Sequence, residues 1–112
     1  MVFSNLKDVS VEEILPGIKV RHIYFKTMLV TMIEFAPKAE IPSHRHLHEQ
    51  VSLVLEGEIE AVVGKEKKKL GVGGIVSVES NVLHSSKATS KGAKVLCSSS
   101  PVTKPYKFEP EE

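Results

Sequence analysis

With 112 residues, 41% of them hydrophobic and 26% charged, the chain has the make-up of one soluble globular domain and leaves no room for a second. Fifteen basic residues against fourteen acidic ones give a formal charge of +1, which excludes a nucleic-acid binder driven by phosphate neutralisation. The single cysteine, Cys97, excludes an intrachain disulfide, and no apolar run approaches the roughly 18 residues of a membrane span.

The N-terminal stretch MVFSNLKDVS has no continuous apolar segment, so the expectation is a cytoplasmic protein without a secretory leader. Ser10–Leu15 reads as a turn of helix or a lead-in strand, stopped by Pro16-Gly17. Apolar, β-branched runs then alternate with turn residues, which is the pattern of an all-β sandwich or barrel. Val20–Phe25 and Met28–Phe35 are predicted strands, closed by Ala36-Pro37-Lys38-Ala39. Gln50–Leu55 and Ile59–Val63 follow, hinged at Glu56-Gly57-Glu58. Lys65 to Lys69 is the one basic cluster, read as a solvated hairpin tip. Lys68–Val72 and Ile75–Glu79 flank Gly73-Gly74, and His84–Lys87 and Lys94–Ser99 are separated by a turn at Ser90-Lys91-Gly92. Eight short strands in a chain of this size predict a jelly-roll barrel with its core at about 16–101, and residues 102–112 read as a C-terminal arm.

One strand has two kinds of face. Gln50, Ser52 and Val54 alternate with Val51, Leu53 and Leu55, and the second set is purely aliphatic. If Gln50 points into the barrel, the aliphatic set needs a second sheet or a second subunit to cover it, so a homodimer is expected.

Three of the five histidines lie in Ser43-His44-Arg45-His46-Leu47-His48-Glu49-Gln50. A His-x-His pair at a strand end puts two imidazoles on one face, able to grip one ion. On a straight strand, same-face residues recede by about 6.5 Å per step, so Gln50 reaches the same ion only if the chain bends near Leu47-His48. The remaining ligand has to come from elsewhere, and His84 is the available candidate. Spacing alone leaves two readings open, a metal site or a solvated histidine loop. The isolated His22 reads as an ordinary satisfied polar residue.

The stretch from Pro42 through Gln50, continued to Gly57, resembles the first motif of the cupin superfamily: His-x-His, a third ligand four residues on, and a glycine seven beyond. Gly71 to Gly74 and Asn81 to His84 resemble the second motif, which supplies the last histidine. Gly74 stands there in place of the usual acidic residue, and Glu79 and Leu83 in place of the usual prolines. The resemblance implies a single double-stranded β-helix (jelly-roll) cupin domain over residues 1–112, with one divalent ion on His44, His46, Gln50 and His84. Cupins usually carry glutamate where this chain has Gln50. Three neutral imidazoles and an amide leave the full charge of the ion in place, which suits Lewis-acid polarisation and leaves nickel, zinc, manganese and iron(II) all eligible.

Within the superfamily the histidine string is most similar to small pectin-degradation cupins, which open unsaturated uronates. Those proteins place an aspartate, an aromatic residue and an arginine along and after the last strand, where this chain has Cys97, Ser99 and Thr103. The metal ligands therefore carry over and the acid/base residues do not, so no catalytic residue is assigned. The implied function is a metal-dependent isomerase or ring-opening enzyme acting on a sugar acid or small carbonyl compound. The alternatives are a non-catalytic metal or ligand sensor and an oxygen-dependent dioxygenase. A small-molecule ligand is expected, with neither nucleic acid nor membrane as partner.

Overall fold

The computed structural model describes residues 2–102 and 104–108. After a 3₁₀ turn at Leu6–Asp8, eight strands follow: β1 (Glu12–Leu15), β2 (Ile18–Tyr24), β3 (Leu29–Phe35), β4 (Glu40–His44), β5 (Glu49–Val63), β6 (Glu66–Leu70), β7 (Ile75–Val78) and β8 (His84–Ser100). All their pairings are antiparallel, in the order β1-β2-β3-β8-β5-β6, with β4 added on β8 and β7 on β5. This is the jelly-roll expected from the alternating pattern.

The architecture turns on two long strands. The first half of β5 pairs with the second half of β8, from Glu49↔Ser100 to Val54↔Val95, and the second half of β5 pairs with the first half of β8, from Ile59↔Ala88 to Val63↔His84. β3 and β7 extend the first of these ladders, and β4 and β6 extend the second, so two sheets share the same two strands. Register shifts at Glu56 and Gly57 mark the bend between them. Gly57 and Gly92 both have positive φ there, and a Cβ on Gly57 would fall on the backbone of Gly92 and Ala93.

This corrects two sequence expectations. Gln50–Leu55 and Ile59–Val63 are one strand, and His84–Lys87 and Lys94–Ser99 are another, because Gly57 and Gly92 serve close strand crossing and not chain reversal. The ambiguous Ser10–Leu15 segment resolves as strand β1. β4 was not expected. It pairs only with β8 and shifts register between Ile41 and His44, which lets Pro42 sit in it without a ladder bond to donate.

The core lies between the two sheets, where Ile18, Val20, Phe35, Ile41, Val54, Ile59 and Val95 are buried. Each such side chain contributes about 1.5–3 kcal/mol by leaving water. Above this floor the inward face turns polar. Register places His22, Thr31, Cys97, Ser52 and Val76 in one row across β2-β3-β8-β5-β7, and Tyr24, Leu29, Ser99, Gln50 and Val78 in the next row toward the mouth. The outward face of the same strands carries Met32, Leu96, Leu53 and Ile75 in one row. Val51 is 51% exposed and Ile75 62%, so no second sheet among the described residues covers this aliphatic face. The lysines of Lys65 to Lys69 are solvated on the β5–β6 hairpin, as expected.

Candidate metal centre

His44 ends β4 and His84 begins β8, and these two residues are direct cross-strand partners. Their rings approach to 4.2 Å between centroids, and His46, from the loop that bends at Leu47 and His48, comes within 4.7 Å of His84 and 5.4 Å of His44. One ligand atom from each of the three rings lies within 4.8 Å of the others, a group that can hold a metal ion.

Backbone carbonyls set the tautomers. Nδ1 of His44 donates to Pro42, Nδ1 of His46 to His48 and Nδ1 of His84 to Val82, each at 2.9 Å. A carbonyl only accepts, so each Nδ1 carries the ring proton and each neutral ring keeps its lone pair on Nε2. The Nε2 of His84 is buried without a hydrogen-bond partner. Such an orphan acceptor costs about 1–3 kcal/mol unless something satisfies it.

Gln50 sharpens the point. Its Nε2 donates to Ser52 Oγ at 3.3 Å, which turns Oε1 toward the histidines, 3.1 Å from His46 Nε2. Both of those facing atoms are lone-pair bearers, and together they repel unless a cation lies beside them. Ligand atoms about 2.1 Å from one ion and at right angles to each other lie roughly 3 Å apart, so this spacing fits adjacent ligands of a divalent metal. Burial favours the ligand form of two rings: it lowers the His44 pKa, and it takes His84 down to about 4 with His44 and His46 adding repulsion.

Around this cluster the structure gathers residues that sequence reasoning passed over. His48 is buried and stacks on His46, with centroids 3.6 Å apart and planes 11° apart, while its carbonyl orients the same ring. Burial, with repulsion from His46, His84 and His44, lowers its pKa to about 4. Phe108 meets His44 edge-on at 4.8 Å, and Tyr106 meets His48 at 5.3 Å and His22 at 6.2 Å. Tyr106 N also donates to the Tyr24 hydroxyl at 3.0 Å, tying residues 104–108 to β2.

His22, read from sequence as an isolated polar residue, lines the cavity. It shares a 3.0 Å hydrogen bond through Nδ1 with Thr31 Oγ1; burial lowers its pKa, and Glu12 opposes that. The available signal was parity, since His22 continues the inward series Ile18, Val20.

The cavity has a volume of about 440 Å³ and is lined at the metal centre by His44, His48, His84 and Gln50. Cys97 and Ser99 face into it, 3.9 Å apart. Burial pushes the Cys97 thiol up, so it is a protonated, inert group and not a thiolate. Glu34 on β3 and Glu60 on β5 do not line the cavity. Arg45 is exposed, and Thr103 lies outside the described residues.

Residues 31–99 match the family model "Cupin domain". The structure is similar to an RmlC-like cupin from Shewanella frigidimarina, with 30% identity over 93% of this chain and 94% of that one and a TM-score of 0.86. It is similar in fold to KdgF from a Halomonas species, at 21% identity, 93% and 96% coverage and a TM-score of 0.84. It also resembles Bacillus subtilis oxalate decarboxylase, a protein with Mn(II) centres, at 17% identity and a TM-score of 0.82 over 97% of this chain and 33% of that one. No curated protein matches the sequence. The family match over most of the chain and the 30% identical relative give one conclusion: the chain belongs to the cupin family.

Proposed function

We propose that this cupin holds one divalent metal ion on His44, His46, His84 and Gln50 and uses it to bind and isomerise a small carbonyl or sugar-acid molecule. The observation that carries the reading is the convergence of lone pairs: the unpartnered His84 Nε2, and Gln50 Oε1 at 3.1 Å from His46 Nε2. A bound divalent ion supplies Lewis acidity toward a carbonyl or hydroxyl oxygen. Gln50 contributes no charge, so the site keeps its pull on an anionic oxygen. His22, held by Thr31, is the imidazole that lines the cavity outside the histidine cluster and is the candidate to move a proton. Tyr106 and Phe108 cover the mouth and limit water.

Elemental analysis of the purified protein tests the site. We expect about one equivalent of a divalent metal, lost in His46→Ala; unchanged metal in that variant would overturn the ligand set. A second reading, metal and ligand binding without turnover, is favoured by Cys97 and Ser99, which leave no carboxylate on the last strand facing the cavity. His22→Asn separates the two readings: it abolishes turnover in an enzyme and leaves ligand affinity near the parent value in a binding module.

The reading includes a homodimer through the aliphatic face of Val51, Leu53 and Ile75, supported by the exposure of that face. Light scattering is expected to give twice the chain mass, falling to a monomer in Leu53→Glu. A parent protein already monomeric at working concentration would refute it. A cytoplasmic setting is supported by the free, buried Cys97, and no helix among the described residues is long and apolar enough to cross a membrane.

A further inference from the structure

The cavity is built unlike a site for a sugar acid. Behind the polar rows at Gln50 and His22, its floor is Val20, Ile33, Val95 and Ile59, and its wall beside Ser52 is Val76. Neither arginine of the chain lines it: Arg21 donates from Nη1 to the Leu6 carbonyl at 2.7 Å, and Arg45 is exposed. Among the described residues Lys107 is the lining cation, and it is exposed; the carboxylates on the lining, Glu12 and Glu13, are exposed on β1.

On the wall made by β2, β3, β5 and the end of β8 each inward hydroxyl already faces a partner, while Ser85 and Ser86 line the cavity at the start of β8, beside His84. Thr31 bonds His22, Ser52 accepts from the Gln50 amide, and Ser99 faces the Cys97 thiol. A polyhydroxylated acid needs a partner for every hydroxyl it buries, and below the His22 row it would meet hydrocarbon. An apolar body gains there by leaving water, and a cavity of about 440 Å³ has room for an aromatic ring beyond a small polar head.

Resting on the metal-site reading above, we infer that the cavity takes a small molecule with a single oxygen-bearing head at the histidine end and an apolar body lying against Val76, Ile33 and Val95. This narrows the substrate proposed above to the small carbonyl compound and sets polyhydroxylated sugar acids aside as poor ligands. The specificity comes from the hydrocarbon wall, while the head is held by groups that any oxygen ligand would meet.

The test uses two acids with the same α-hydroxycarboxylate head, mandelate with a phenyl body and gluconate with a polyhydroxylated one. Both are titrated by calorimetry into full-length protein loaded with one equivalent of zinc, with metal content measured before and after. Mandelate is expected to bind at least about ten-fold tighter, and Val76→Thr, close in shape but polar, to cut that preference to about three-fold or less. Metal retained together with equal binding, no binding of either acid, or gluconate preferred overturns this inference alone. A preference unchanged in Val76→Thr overturns the assigned wall. A protein that takes up no zinc overturns the metal-site reading instead, and the metal assay identifies that case directly.

Discussion

The two faces of the sheet built from β2, β3, β8, β5 and β7 differ by one residue step and by nearly everything else. The inward row reads His22, Thr31, Cys97, Ser52, Val76, and the outward row one step along reads Met32, Leu96, Leu53, Ile75. In an ordinary half-buried sheet the aliphatic row faces the core and the hydroxyls face water. Here the order is reversed over the half of the barrel nearest the histidines. Below it, at Val20, Ile33, Val95 and Val54, the inward row is hydrocarbon again. Stability and chemistry are therefore stacked along the same strands, with the floor holding the fold and the rows above it holding the site. The outward aliphatic row belongs to neither and is the part that asks for a partner.

The largest effect expected from this division is in the floor. Ile59 is buried at 1% exposure, and Ile59→Ala should cost about 2–5 kcal/mol through lost burial and the cavity left behind. Ile75→Ala on the outward face, measured by urea unfolding at low protein concentration, should stay within about 0.5 kcal/mol of the parent. Equal losses at the two positions would mean that the outward row is packed in the folded monomer, and the contrast between faces would fail.

That contrast explains what was legible in the sequence. The His44 and His46 pair could be flagged because its spacing is a local property, whereas Gln50 and His84 as ligands rested on the resemblance to the two cupin motifs; the bend that Gln50 required falls at Leu47 and His48. Alternation on β5 flagged the aliphatic face, since Val51, Leu53 and Leu55 repeat with period two. The joined strands were not legible. A glycine at a close crossing looks the same in sequence as a glycine in a turn, and only the register of β5 on β8 separates them. β4 was hidden by Pro42, which argues against a strand unless the strand is an edge with a register shift. His22 is a hydrogen-bonded polar residue as read, but its place in the cavity was not visible when it was weighed alone. Its surroundings are Thr31, Tyr24 and Tyr106, and the last of these is 84 residues further along the chain.

The site should also reveal itself through pH in metal-free protein. His48 and His84 have pKa values lowered from the ordinary 6.5 to about 4, mainly by burial. Between those values the unfolded chain holds more protons than the folded one, so stability rises with pH across the window. The metal-free protein should therefore lose stability as pH falls from about 6.5 toward about 4, with no contribution from these groups above that range. His48→Phe keeps a ring against His46 and should flatten the slope. A urea midpoint independent of pH across the window would show that the rings are not held neutral by the fold.

The smallest effect tests the link between the inward row and the ligands. Ser52 touches no other candidate ligand, yet its Oγ accepts the Gln50 amide at 3.3 Å and so decides which end of that side chain faces His46. Without it the amide loses its anchor and is free to rotate its nitrogen toward the lone pairs, where it would donate to His46 in place of an ion. Ser52→Ala should weaken metal affinity about ten-fold, within the range seen when an outer-shell partner is removed, and leave the unfolding midpoint of the metal-free protein nearly unchanged. Competition titration with a chelator measures the first quantity and urea unfolding the second. A loss of stability with affinity intact would make Ser52 a packing residue, and the polar row would then have no hold on the site above it.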